Sequence, residues 1–292
     1  MFPPRFEYSA PTSLEEATAK LADLGEEARV LAGGQSLIPM MKLRLAAPAH
    51  LVDINRLPDL GYIRRDNGHL AIGALARHAQ IASSTEVKAT SQTMASAAPW
   101  IADPLVRNRG TLCGSVAHCD PEGDWNSVML ALGAEVVAVS GGGERSIPIT
   151  DFVVDFFTNS LRPGEMVKEV RVPVPKGPHG GKYLKLERKI GDYATVGVAV
   201  HLEAADGKIS RAGIALTSVH PHNLKVTEAE TLLTGQAGEA KLFDEVANVT
   251  ARSCEPASDV RGPAEYKRAV VREYTRRGLA SAWTAAIEGG QS

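Results

Sequence analysis

Short apolar runs alternate with segments of helical apolar spacing through the first half of the chain. SLEEATAKLADLG predicts a helix: Ser13 is placed to cap it, Glu16 sits at capping-box distance, and Gly25 stops it. ARVLAGG predicts a strand running into two glycines, and SLIPMMKLRLA a helix behind Ser36. HLVDI and GHLAIGA read as further short strands, and HAQIASSTEVKATSQTMASAAPW as largely helical, with small residues that permit close packing. After RNRGTLCGSVAHCDPEGD, the run NSVMLALGAEVVAVSGGG predicts a helix, a strand and a glycine turn in succession.

The pattern changes at residues 173–181, where PVPKGPHGG holds three prolines and three glycines in nine positions and is the best linker in the chain. Beyond it, YLKLERKIGDYATVGVAVHLEAADGKISRAGIALTSV alternates apolar and polar positions and turns at Asp206-Gly207, as an antiparallel meander does. LKVTEAETLLTG, EAKLFDEVANVTARSC and PAEYKRAVVREYTRRGLASAWTAAI are helical. The patterning predicts an α+β protein in two parts, a larger α+β domain over 1–175 and a smaller sheet-plus-helices domain over 176–292. No repeat or low-complexity tract interrupts it.

Composition keeps this picture and removes several partners. The 292 residues suit about two domains. A formal net charge of -2 gives no electrostatic case for nucleic acid or a membrane surface. No apolar stretch approaches the roughly 20 residues of a membrane span. MFPPRFEYSAPTS lacks the apolar core of a signal peptide, so a cytoplasmic location is expected. Three cysteines are too few and too odd in number for a disulfide framework, and fall short of the four thiolates an iron–sulfur cluster wants. Cys113, His118 and Cys119 lie close together without a second ligand pair, so no metal site is predicted.

Two stretches invite chemistry. In LAGGQSLIPMMKLRLA, Gly33 and Gly34 stand where a strand hands over to a helix. Successive N–H groups in such a turn can converge on an anion, and the helix end adds positive potential. Ser36 is available as cap or phosphate donor, and Pro39 falls in the first turn, where its missing N–H costs little. A pyrophosphate suits that geometry because no Cβ stands between ligand and backbone. Taken alone, the stretch reads first as a turn that needs only positive φ. No lysine follows as in a Walker loop, and no third glycine completes a Rossmann fingerprint. GTLCGS then brings Thr111, Gly114 and Ser115 together beside Arg107 and Arg109, and Asp120 and Asp124 flank the following PEG. Two such loops can clamp the ends of an extended dinucleotide, with carboxylates binding ribityl or ribose hydroxyls or a ring edge. Asp120-Pro121 reads equally as turn chemistry.

LAGGQSLIPMMKLRLAAPAHLVDI, IGALARHAQI, RNRGTLCGSVAHCDPEGD, LRPGEMVKEVRVP, KLERKIGDYATVGVAV and SDVRGPAEYKRAVVREYTRRGL together resemble the FAD-binding medium subunits of the molybdenum hydroxylases. That is the family of aerobic carbon monoxide dehydrogenase and xanthine dehydrogenase, and the resemblance covers nearly the whole chain. It implies the two-subdomain FAD-binding fold of the vanillyl-alcohol oxidase type, followed by a smaller C-terminal domain of antiparallel sheet plus helices. It implies that Ala32, Gly33, Gly34, Gln35, Ser36 and Leu37 form a first FAD loop around the pyrophosphate. Thr111, Gly114, Ser115 and Ala117 belong to the second. Asp120 follows it, and Asp124 matches the carboxylate that meets the polar part of the flavin. Leu161 and Lys185 match positions that touch the cofactor, and Tyr193 the aromatic that lies over the isoalloxazine and gates access to it. Cys113 stands where the pattern T-x-G-G-N/S has its first glycine, and reads as a buried small hydrophobe, not a redox thiol. Gln35 is familiar in members acting on heterocycles or aldehydes, where the carbon monoxide enzymes carry histidine.

The implied activity is that of an oxidoreductase subunit. A large subunit with the molybdenum cofactor oxidises substrate, and a small subunit with two-iron two-sulfur clusters passes electrons on singly. FAD in this chain hands them to an external acceptor such as a quinone or NAD, in a dimer of heterotrimers. Two other functions are weighed beside it: a stand-alone flavin oxidoreductase acting directly on a small molecule, and an interaction module without FAD, which Cys113 alone favours. His220 and His222 in HPHN read as a solvated loop. Tyr266, Val270 and Tyr274 share one helical face, docked on their own domain or open to a partner subunit.

Overall fold

The computed structural model describes residues 2–289. The chain opens with β1 (Glu7–Ser9), α1 (Leu14–Leu24), β2 (Ala28–Leu31), α2 (Leu37–Lys42) and β3 (His50–Asp53), whose strands form a parallel sheet in the order β1-β3-β2. The Ser13 side chain caps α1 by accepting from the Glu16 N–H at 3.1 Å. Glu16 reaches back one residue further than a capping box requires, to the Thr12 N–H at 3.0 Å. α2 is shorter than its sequence pattern. Arg44 turns left-handed at φ 64, and the Leu45 N–H folds back onto the Met40 carbonyl at 2.9 Å, which ends the helix before LRLA.

A second unit follows, with β4 (Ile63–Asp66) and β5 (His69–Gly73), then α3 (His78–Ser83), α4 (Thr85–Thr90), α5 (Gln92–Ala97), α6 (Pro104–Arg107), α7 (Leu112–His118) and α8 (Asp124–Leu132). The long helical stretch is divided because Ser84 and Ser91 adopt extended backbone and cap the next helix, accepting from Val87 N–H and Met94 N–H. β6 (Glu135–Ser140), β7 (Gly143–Pro148), α9 (Ile149–Phe152), the hairpin β8 (Val153–Asp155) and β9 (Thr158–Asn159), and β10 (Met166–Pro173) complete it. The antiparallel order is β4-β5-β10-β6-β7. Leu70, Ile72, Leu112, Trp125, Met129 and Phe152 fill the core against this sheet.

The third sheet is the predicted meander: β11 (His179–Leu186), β12 (Val196–Ala205), β13 (Lys208–Thr217) and the short β14 (Leu224–Lys225), followed by α10 (Thr227–Leu233), α11 (Ala240–Ser253) and α12 (Ala264–Gly289). The turn at Asp206-Gly207 has positive φ at both residues. The connection into it is only residues 174–178. Gly180 and Gly181, read as linker, lie inside β11, where a Cβ would come within 1.9 Å of the Ala282 carbonyl and 2.0 Å of Thr93 Oγ1. Helices press on both faces of this sheet, so its alternation separates two buried sides. Val196, Val198, Val200 and Leu202 face α10–α12, while Tyr183, Ala199 and Ala215 join the core of the preceding unit. Period two also places Lys185, Tyr183 and Thr217 on the side that meets α8. Val270 and Tyr274 pack into the C-terminal core, whereas Tyr266 is exposed. No helix among the described residues is long and apolar enough to cross a membrane.

Candidate functional site

An open cleft of about 1450 Å³ lies between the two N-terminal units and is closed on one side by the C-terminal sheet. The turn after β2 forms one wall. Gly34 has φ 73, and a Cβ on Gly33 would fall 2.4 Å from the Arg109 carbonyl oxygen, so the turn lies directly against the segment leading to Thr111. The plain turn and the close approach are thus both true, one at each glycine. Among the described residues, none supplies a partner for the backbone N–H groups of Gly33, Gly34, Gln35 or Ser36. Ser36 does not cap α2 through its side chain, so of the two roles offered by the sequence, cap or phosphate donor, the first falls away, and a helix of six residues adds little dipole.

The second loop carries its own fixings. The Thr111 hydroxyl accepts from the Gly114 N–H at 3.2 Å and caps α7. Its backbone runs antiparallel to residues 76–78: His78 N–H donates to the Gly110 carbonyl at 3.0 Å, and Leu112 N–H to the Ala76 carbonyl at 3.4 Å. Cys113 is buried and its thiol donates to the Ile72 carbonyl at 3.4 Å, inside the core; burial pushes the thiol far up from its ordinary value. Cys119 likewise turns inward to the Val116 carbonyl at 3.3 Å, while His118 packs against Phe157. Among the described residues, no cluster of three or more His, Cys, Asp or Glu side chains forms a metal site. The β8–β9 hairpin is tied to α7 by Asn159, whose amide donates to the Ala117 carbonyl at 2.7 Å and brings Leu161 to the cleft.

At the base of the cleft, α8 begins with a buried carboxylate. Asp124 Oδ1 accepts from the Tyr183 hydroxyl at 2.5 Å and Oδ2 from Lys185 Nζ at 2.9 Å. Lys185 also donates to the Trp100 carbonyl at 3.1 Å and faces Glu187 at 3.5 Å. Burial raises the Asp124 pKa, with Lys185 acting against it, and burial followed by Asp124 raises that of Tyr183. Both oxygens of Asp124 are therefore engaged within the chain. Tyr193 sits 47% exposed at the mouth, on the β11–β12 loop; Arg261 steadies that loop through the Ala194 carbonyl and an ion pair with Glu122 at 2.7 Å.

The cleft thus collects Ala32 to Leu37, Thr111, Gly114, Ser115, Ala117, Asp124, Leu161, Lys185 and Tyr193 from six separate stretches of sequence. Asp120 does not line it. Its carboxylate accepts from the Glu122 N–H and its carbonyl from the Gly123 N–H, both at 2.9 Å, which is turn chemistry. Sequence reasoning missed Asn55, Arg77 and His78, which buttress the loops from behind, and Tyr183, which shares Asp124 with Lys185. Arg77 and His78 stand within IGALARHAQI, but nothing local marks them.

Residues 4–175 match the family described as FAD binding domain in molybdopterin dehydrogenase, and residues 182–282 the CO dehydrogenase flavoprotein C-terminal domain. The chain is 42% identical to the carbon monoxide dehydrogenase medium chain of Hydrogenophaga pseudoflava over 97% of its length and 99% of that protein's. It is 39% identical to subunit alpha of the 6-hydroxypseudooxynicotine dehydrogenase complex of Paenarthrobacter nicotinovorans, over 97% and 96% of the two chains. A solved structure of the Hydrogenophaga pseudoflava carbon monoxide dehydrogenase, lacking the Mo-pyranopterin moiety of its cofactor, superposes with a TM-score of 0.94 at 43% identity, covering 98% of this chain and all of that one.

Proposed function

The chain belongs to the FAD-binding medium subunits of the molybdenum hydroxylases, and we propose that it is the electron-transfer subunit of such an oxidoreductase. In this reading it takes electrons from iron–sulfur clusters of a small partner subunit, after a large molybdenum subunit has oxidised substrate, and passes them to an external acceptor. The observation that carries the proposal is the contact of the two glycine-containing loops on one wall of the cleft, with unpartnered amides along the first. A diphosphate fits there because no side chain stands between it and the backbone N–H groups. FAD, when bound, supplies the exchange between single-electron donors and the acceptor.

The chain's own residues bind and orient. Gly33, Gly34, Gln35 and Ser36 hold the pyrophosphate, and Thr111, Gly114, Ser115 and Ala117 face it from the second loop. Lys185, fixed by Asp124, and Leu161 border the flavin end, and Tyr193 covers it from the β11–β12 loop. Asp124 acts by holding Lys185 and Tyr183 in place, since both its oxygens are taken. Asp120 serves the turn that leads into α8.

Purification from the native host tests the proposal. Larger and smaller subunits carrying Mo and Fe should co-purify with a yellow chain, and their masses give the stoichiometry, for which a dimer of heterotrimers is the expectation. A lone yellow chain without metals, bleached directly by a small substrate, points instead to a stand-alone flavin oxidoreductase. Tyr193→Ala should keep FAD and alter reoxidation by the acceptor; unchanged reoxidation rates refute the covering role.

A further inference from the structure

Two side chains that belong to neither loop join them. β3 runs parallel to β2 with Asp53 opposite Leu31, so Asn55 arrives beside the first loop. Its amide Nδ2 donates to the Ala32 carbonyl at 2.7 Å and to Asp53 Oδ1 at 2.6 Å. Asp53 Oδ1 also accepts from the Asn55 N–H at 2.8 Å, and Oδ2 from the Tyr8 hydroxyl at 2.7 Å, so the amide is held in one orientation. On the other side, the pairing of residues 76–78 with 110–112 sets Arg77 under the second loop. Arg77 Nη1 donates to the Arg109 carbonyl at 2.5 Å, and Nη2 to Asn55 Oδ1 at 2.5 Å. The result is an unbroken path from the Arg109 carbonyl through guanidinium and carboxamide to the Ala32 carbonyl. It crosses from the parallel sheet to the antiparallel one, where Gly33 and Arg109 touch.

We propose that Arg77 and Asn55 are positioning residues that lock the two loops in register for a diphosphate-bearing dinucleotide. The inference rests on the FAD reading above. Carbonyl oxygens repel an anion and amide N–H groups attract it. Engaging the Ala32 and Arg109 carbonyls leaves the neighbouring amides as the polar groups available to the ligand, and the guanidinium adds positive charge beneath them. Neither residue needs to touch the ligand. Because the two act as one bridge, losing either breaks the same connection.

FAD-stripped full-length chain is titrated with FAD by flavin fluorescence, with thermal unfolding of the same apo samples in parallel. Arg77→Met should weaken FAD binding about tenfold or more, the size of a lost charge-assisted hydrogen bond. Asn55→Ala should do so comparably. The double variant should lose little beyond either single one, since the second change removes a bridge already broken. Arg77→Lys, which keeps the charge and one contact, should recover part of the affinity and carries the test if Arg77→Met does not fold. Wild-type FAD affinity in Arg77→Met or Asn55→Ala overturns the proposal. Additive losses overturn it too, as does a loss of affinity fully matched by destabilised apo-protein. If the wild-type chain itself takes up no FAD, the FAD reading fails, and that result is distinct from any of these.

Discussion

The two loops of the cleft differ in backbone, a left-handed turn at Gly34 against a capped first helical turn after Thr111, and they are held to different degrees. The first, residues 32–36, has almost no fixing of its own. Ser36 does not cap, Gln35 reaches only the Gly33 carbonyl at 3.5 Å, and position comes from Asn55 and from contact at Gly33. The second is held at many points, by its own Thr111 cap and, from neighbouring segments, by the Ile72 carbonyl on the Cys113 thiol and a short backbone ladder to residues 76–78. Tolerance to substitution follows from direction. At position 113 the side chain is 2% exposed and its thiol turns to the Ile72 carbonyl, so a cysteine in place of glycine adds only a trace of surface to the cleft it borders. At position 33 any Cβ points at the other loop. The departure from the family pattern is therefore a core substitution inside a binding motif.

Gly33→Ala tests this contrast most severely. Its Cβ overlaps backbone, which cannot swing aside, and FAD affinity should fall on the order of 100-fold. Binding within threefold of wild type would mean that the loops do not depend on touching. Acidification should separate the loops next. His78 supports the second loop, accepts from the Trp125 indole N–H at 3.1 Å, and is held neutral with a pKa of about 4, by burial and then by Arg107 and Arg77. Because folding lowers this pKa, its support is complete above the unfolded histidine value of about 6.5 and drains as pH falls toward 4, costing about 2 kcal/mol by pH 5. Asp53 behaves otherwise. Burial works against its charge, but hydrogen bonds from Tyr8 and Asn55 prevail and keep its carboxyl below the usual range, so first-loop bracing fades only in stronger acid. Amide hydrogen exchange at pH 5 should therefore open residues 110–115 before the paired β2 residues 28–31 that lead into the first loop, and simultaneous opening would erase the distinction.

Two smaller effects sharpen the comparison. Thr111→Ala removes the cap and should cost about 1 kcal/mol, visible as faster exchange confined to the first turn of α7. Cys113→Gly should lower stability by about 1 kcal/mol, through helix propensity and lost packing, and leave FAD affinity within twofold. A gain or loss of affinity beyond that range would return Cys113 to the binding surface.

What could be read from the chain was what short-range physics decides. The Ser13 cap, the Asp206-Gly207 hairpin and the C-terminal helices depend on neighbours in sequence, and they stand where the patterns put them. The loops were legible as glycine-rich turns, and the family resemblance supplied their pairing. The rest hinges on distant partners. Nothing near Asn55 or Arg77 signals that they meet, and Tyr183 and Lys185 reach Asp124 only because period two on β11 turns both toward α8. Gly180 and Gly181 looked like flexibility and proved to be clearance, a distinction that requires knowing what packs on either side.

The ion pair at the base of the cleft also has a place in time. Asp124 is synthesised 59 residues ahead of Tyr183 and 61 ahead of Lys185, and Tyr193 emerges later still. A nascent chain with only its first two sheets already has both loops, but an unpaired carboxylate where the floor will be. The floor of the cleft is finished only once β11 has been laid down, so a chain halted before residue 179 would hold both loops without the lysine and tyrosine that meet Asp124.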